Sequence, residues 1–262
     1  IRLIPEVVWW PWPIGWDTVE YMAELNDFLA FPNPLSPDFN YTLSRTPPLL
    51  TTILSLPGAL FGSWAVFKAF PPIAYGAIIA LVAFTSKRAL QMNNRQALLA
   101  AVVSAFFILN LRMSSDYQKQ ILGTIMLMAA LVCIRDDGGW KRNLGVASLF
   151  IMAALASQIT AVAAVPAILL LLVDSARLRR LPRCALYASS LIIVIAALAQ
   201  YSGGFVWGNS TFGLAPAGVY SLTTSASSAL IAYTMAGYTI ILVPALLVFR
   251  SYNKYYLAVI AA

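Results

Sequence analysis

Pro13-Ile14-Gly15-Trp16-Asp17-Thr18-Val19-Glu20 and, further on, Arg45-Thr46-Pro47-Pro48-Leu49 stand ahead of a chain that is otherwise an almost uninterrupted series of apolar runs. From Asp17 the acidic residues recur as Glu20, Glu24 and Asp27, at spacings of three, four and three. On a helix these positions share one face, while Val19, Met22, Leu25 and Leu29 take much of the other. The pattern predicts an amphipathic helix lying at a membrane surface with its carboxylates toward water.

Working outward, the remainder is apolar enough to fix the class. Hydrophobic residues make up 60% of the chain and charged residues 10%, against about 25% charged in soluble domains, and the mean hydropathy is +0.78. Runs able to cross a hydrocarbon core of about 30 Å fall near 71–86, 96–111, 121–134, 144–173, 184–200 and 226–249, and another begins at Tyr255. Alternating β patterning is absent, so the spans should be helices, which satisfy their own backbone groups in lipid. The expected fold is an all-α polytopic membrane protein. Residues 1–70 form an outer-face loop with amphipathic and re-entrant helices, and residues 71–262 form a transmembrane bundle of about seven complete spans plus the start of another. The chain opens without Met on a surface-type segment and stops at Ala262 inside an apolar run. This reads as a piece of a longer protein, with at least one N-terminal helix and a C-terminal portion beyond it.

Sidedness follows from the cations. Twelve of the seventeen basic residues fall in four short loops, at Lys87/Arg88/Arg95, Arg135/Lys141/Arg142, Arg177/Arg179/Arg180/Arg183 and Arg250/Lys254, which the positive-inside rule makes cytoplasmic. Segments 1–70, 112–120, 157–160 and 201–225 are then outside, with 144–173 divided into two short helices at Ser157-Gln158-Ile159-Thr160. The apolar stretch 49–67 must not cross, since a crossing would carry Lys87 and Arg88 outside. It is expected to be re-entrant or surface-lying, broken around Pro57-Gly58 and Gly62-Ser63. Two sequons, Asn40-Tyr41-Thr42 and Asn209-Ser210-Thr211, land on the outer side. So do seven of the ten acidic residues (Glu6, Asp17, Glu20, Glu24, Asp27, Asp38, Asp116), with Arg2, Arg45, Lys68, Arg112 and Lys119, behind an aromatic belt of Trp9, Trp10, Trp12 and Trp16. Cys133 and Cys184 both fall at cytoplasmic span ends, and no disulfide framework is expected. The chain has no His, which excludes His-based catalysis and His metal ligation.

The order of these pieces resembles a known family. Gly15, Asp17 and Tyr21, then Arg45 with Pro47, Pro48 and Leu49, then Lys68, then Asp116 resemble the N-terminal module of polyprenol-dependent membrane glycosyltransferases of the GT-C fold. Within that fold the chain looks most like the group containing protein O-mannosyltransferases and lipid A aminoarabinose transferases. The chain departs in having Arg45-Thr46-Pro47-Pro48 for the usual Lys-Pro-Pro or His-Pro-Pro, and Lys68 where Arg is more familiar. The resemblance implies a GT-C-like bundle at the plasma membrane, acting on its outer face and moving a sugar from a polyprenyl-phosphate donor to a protein or lipid acceptor. Asp17 and Asp116 would be catalytic, Asp17 as general base. Glu20, Tyr21, Arg45, Lys68, Arg112 and Gln158 would bind substrate, the three cations on the phosphate. A divalent metal ion, if one is used, would be held by Asp17 and Asp116.

Plainer roles fit the same residues. Asp17-Thr18-Val19-Glu20 also matches a capping box; Glu24 and Asp27 match a solvated face, and Arg45 and Lys68 match headgroup anchors. Asp116 could cap the span that follows it beside Lys119, Gln158 could line the site or pack between helices, and the loop 201–225 could gate a substrate or simply connect. Two other function classes stand beside the enzyme. A non-catalytic GT-C-like scaffold subunit would keep the helices for partner membrane subunits. A transporter or flippase would need ionisable residues or broken helices near the midplane, often in two related halves, whereas the predicted midplanes are nearly free of charge and show no repeat. Nothing suggests nucleic acid. The charge scheme makes a direct prediction: with Cys133 and Cys184 replaced by Ser, engineered thiols at positions 90 and 115 label from opposite sides of the membrane, and labelling from the same side refutes it.

Overall fold

The computed structural model describes residues 2–9, 14–30, 47–88, 91–106, 114, 117–134, 139–178 and 180–202. The described residues are helical, without strands. Among the described residues nine helices follow one another: α1 (Leu3–Val8), α2 (Trp16–Ala30), α3 (Leu49–Phe61), α4 (Ser63–Arg88), α5 (Asn94–Phe106), α6 (Gln118–Cys133), α7 (Trp140–Ala156), α8 (Gln158–Arg177) and α9 (Leu181–Ser202). Three of them, α4, α8 and α9, are long and apolar enough to cross a membrane. The span expected at 226–249, the run from Tyr255 and both sequons lie outside the described residues.

Between residues 47 and 88 the chain divides differently from the sequence expectation. α3 runs through Pro57-Gly58, where a break was expected, because Gly58 is buried against α2 with room for Leu25 and Leu29 to close over it; tertiary packing overrides local propensity. The break comes at Gly62, whose φ of 81° lies in a region that favours glycine. Residues 63–67 therefore belong to α4 and not to the re-entrant stretch. With 13 residues α3 is about 20 Å long, short of a 30 Å core, as a non-crossing segment requires.

α4 starts earlier than the apolar run suggested and carries Pro71 and Pro72 within it. α5 opens on a reciprocal cap, the Gln96 amide donating to Asn93 Oδ1 and the Asn93 amide to Gln96 Oε1. The split expected in 144–173 is found as one extended residue, Ser157, between α7 and α8. The Thr160 hydroxyl lies 2.7 Å from the Ala153 carbonyl and 2.9 Å from that of Ser157, and its single proton serves both.

Helices α6 to α9 share the main core, in which Ala130, Ala147, Ala153, Ala154, Ala161, Ala164 and Ala167 let backbones approach closely around Phe150, Ile168 and Leu171. A second core joins α2 to the bundle through Tyr21, Leu25, Leu50, Leu54, Val66, Phe67, Leu122 and Ala156. The contacts define two ends. At one, the Asn143 side chain accepts from the Tyr187 hydroxyl at 3.2 Å and Arg183 lies over the Tyr187 ring; Lys87, Arg88, Lys141, Arg142 and Arg177 sit in the helix ends on that side. At the other, the Gln158 amide donates to the Tyr201 carbonyl, and Ala156 packs with Tyr21 and Leu25.

Gly123 on α6 faces Thr160 so closely that a Cβ there would lie 3.0 Å from Thr160 Cγ2 and nearer still to the hydroxyl. Helix propensity alone makes Gly→Ala favourable by about 1 kcal/mol, but overpacking a filled contact costs about 1–3 kcal/mol. Gly123→Ala is therefore expected to lower the melting temperature of the detergent-solubilised chain; a rise would refute this helix contact.

Candidate functional site

The polar residues at the second end form two clusters. The first is built on α2 and the start of α6. Lys119, in the first turn of α6, reaches both oxygens of Glu24, 2.7 Å from Oε2 and 3.0 Å from Oε1. Its ammonium also lies 5.0 Å from the centroid of the Tyr21 ring, a cation–π geometry. Beside it the Gln118 amide donates to Thr18 Oγ1 at 3.0 Å, and the Thr18 hydroxyl donates to the Ile14 carbonyl at 2.7 Å. Thr18 and Gln118 are wholly buried.

This arrangement sets the rotation of α2 and corrects its predicted faces. Thr18, Tyr21 and Leu25 point into the protein, while Val19, expected on the apolar face, is exposed. The four carboxylates do not share one environment. Asp17 and Glu24 are half-buried along the edge nearest α6, whereas Glu20 and Asp27 are exposed. Glu24, expected on a solvated face, is instead a tie to α6; Asp27 keeps the solvated position.

Tyr21 is the link to Asp17. Its hydroxyl is hydrogen-bonded to the Asp17 carboxylate, and its pKa is driven well above the usual tyrosine value by burial, then by the charges of Asp17, Glu24 and Glu20, and by that hydrogen bond. The phenol stays protonated through the neutral range and donates to the carboxylate. Because the folded-state pKa is raised, the stabilisation from this group is complete below the ordinary tyrosine pKa of about 10 and is lost only as pH rises above it.

The second cluster joins α1, α4 and Ser114. Glu6 forms ion pairs with two cations, Oε1 at 2.8 Å from Arg2 Nη2 and Oε2 at 3.0 Å from Lys68 Nζ. Arg2 Nε donates to Ser114 Oγ at 2.8 Å. Arg2, Glu6, Lys68 and Ser114 are all buried. Lys68, expected as a phosphate ligand or a snorkelling anchor, is paired with Glu6.

Of the other sequence-predicted residues, Arg45, Arg112 and Asp116 lie outside the described residues. The cap position of α6 is Tyr117, with no side-chain cap. Gln158, through its bond to the Tyr201 carbonyl, ties the start of α8 to the end of α9. Among the described residues no three Asp, Glu, Cys or His come together as a metal site. Cys133 and Cys184 are free thiols.

Sequence reasoning set Arg2, Glu6 and Lys119 on the outer side and Thr18 in a capping box but gave none of them these partners, and it passed over Ser114 and Gln118. The i, i+4 spacing of Arg2 and Glu6 is legible; the partners of Lys119 and Lys68, 95 and 62 residues away, are not. No family model, curated protein or solved structure matches the chain.

Removing one partner of a buried ion pair strands the other charge and costs about 3–5 kcal/mol, discounted here because Glu24 keeps some contact with water. Glu24→Lys and Lys119→Glu are each expected to lower stability to denaturant in detergent, and the double exchange to recover at least half of the loss. Additive losses in the double variant would show that the pair does not hold α2.

Proposed function

We propose that this chain is a plasma-membrane glycosyltransferase of the GT-C type, a polytopic helical bundle that moves a sugar from a polyprenyl phosphate to an acceptor hydroxyl at the outer membrane face. The observation that carries the reading is a carboxylate, Asp17, kept half-buried at one end of an apolar bundle and oriented by the protonated hydroxyl of Tyr21. An acceptor hydroxyl attacks the anomeric carbon, the bond from that carbon to the phosphate oxygen breaks with its electron pair leaving on phosphate, and Asp17 takes the hydroxyl proton. The departing phosphate needs cations. Lys68 is already bound to Glu6 and Lys119 to Glu24, which leaves that role in the proposal to Arg45 and Arg112.

The same pairings favour a second reading. Cations committed to neighbouring carboxylates are what a scaffold subunit would retain after losing catalysis, its α2 kept as a strut between membrane helices. The two readings part on Asp17→Asn. With membrane-reconstituted protein and labelled polyprenyl-phosphate sugars, the enzyme reading expects turnover to fall by about 10² to 10⁴ while the elution profile of the folded protein is unchanged, since Asn matches Asp in size and its amide oxygen can still accept a hydrogen bond. Unchanged turnover in Asp17→Asn would refute Asp17 as base, and absence of transfer by the parent chain with every donor tried would leave the scaffold in front.

A further inference from the structure

Helix α1 is inside out by the standard of a water-exposed helix. Its two charged residues face the protein, Arg2 3% and Glu6 4% exposed, while Leu3, Ile4, Val7, Val8 and Trp9 are all at least 60% exposed. In water the opposite arrangement would be more stable, since about 25 cal/mol is gained for each Å² of apolar surface removed from it. Against hydrocarbon the observed one is the stable form, with the charges turned inward onto each other and onto Lys68, and the apolar side chains outward.

Lys68 sets the depth. It lies on α4 twenty residues before Arg88, a rise of about 30 Å that matches the hydrocarbon thickness. With Arg88 at one boundary, Lys68 stands at the other, and Glu6, 3.0 Å from its ammonium, holds α1 at the same level. The exposed apolar surface continues on α4 itself, where Ile73 and Phe84 are exposed.

We infer that the outer face of α1 is covered by lipid acyl chains, the helix lying just beneath the headgroups as an interfacial element, with Trp9 at the boundary. Residues 2–9 are thereby part of the membrane-embedded surface and not of a water-exposed loop. This holds whether or not the chain transfers sugars.

Nitroxide labels at Val8→Cys and, independently, Val7→Cys test it, in the full chain reconstituted in phosphatidylcholine vesicles with Cys133 and Cys184 replaced by Ser. Glu20→Cys, on the exposed side of α2, serves as the aqueous reference. The expected result is collision with molecular oxygen several-fold favoured over collision with a water-soluble nickel chelate, relative to Glu20→Cys. A nickel accessibility equal to that of Glu20→Cys would place α1 in water and overturn the inference. So would exclusion of both reagents, which would mean that protein covers the face.

Discussion

A lysine buried in the first turn of an apolar helix has to find a carboxylate, and in this chain the one that Lys119 finds decides how α2 is turned. The helix N-terminus carries partial positive charge, an unfavourable place for a cation, and burial removes the water that would otherwise screen it. Glu24 offsets both, and the Tyr21 ring adds its negative face. Glu24 lies seven residues after Asp17, close to two turns, so whatever turns Glu24 toward α6 turns Asp17 and, between them, Tyr21 to the same edge. The placement of the proposed base is thus a consequence of an ion pair that takes no part in the chemistry.

The second cluster obeys the same rule with a different outcome. Arg2 and Lys68 share a single carboxylate, Glu6, and all three are withdrawn from the surface. Removal from water costs several kcal/mol per ion and is offset only by close, well-directed partners. That cost is a reason for such groups to gather at one end of the bundle and not along its length. It also changes what Lys68 can contribute: its ammonium is already engaged by Glu6, and a phosphate drawn by the one positive charge the cluster retains would have to compete with that carboxylate.

Much of the helical layout was legible. Apolar runs located α4 to α9 to within a few residues, apart from the early start of α4, and the single polar interruption at Ser157-Gln158 marked the joint between α7 and α8. The rotation of α2 was not legible, because Val19, Met22, Leu25 and Leu29 form as good an apolar stripe as Tyr21 and Leu25 do, and only the distant Lys119 distinguishes them. The break at Pro57-Gly58 failed for a related reason. Proline and glycine weaken an isolated helix, yet here the missing side chain of Gly58 is what lets α2 approach. Of the proposed site, Asp17 and Tyr21 were legible from their motif. The commitments of Lys68 and Glu24 were not, since both depend on partners remote in sequence.

The joint at Ser157 shows how the bundle supports the surface helix. The carbonyls of Ala153 and Ser157 keep backbone donors across the joint, the Ser157 and Ala161 amides, as hydrocarbon requires, and the Thr160 hydroxyl braces the same two carbonyls. Thr160 can sit there only because Gly123 has no side chain. Ala156, the residue just before the joint, forms part of the floor beneath Tyr21 and Leu25 together with Leu122, the immediate neighbour of Gly123. One small region therefore closes the backbone between two apolar helices and carries the helix that bears Asp17. A change at Gly123 or Thr160 would reach that helix by way of Leu122 and Ala156, without touching any charged group.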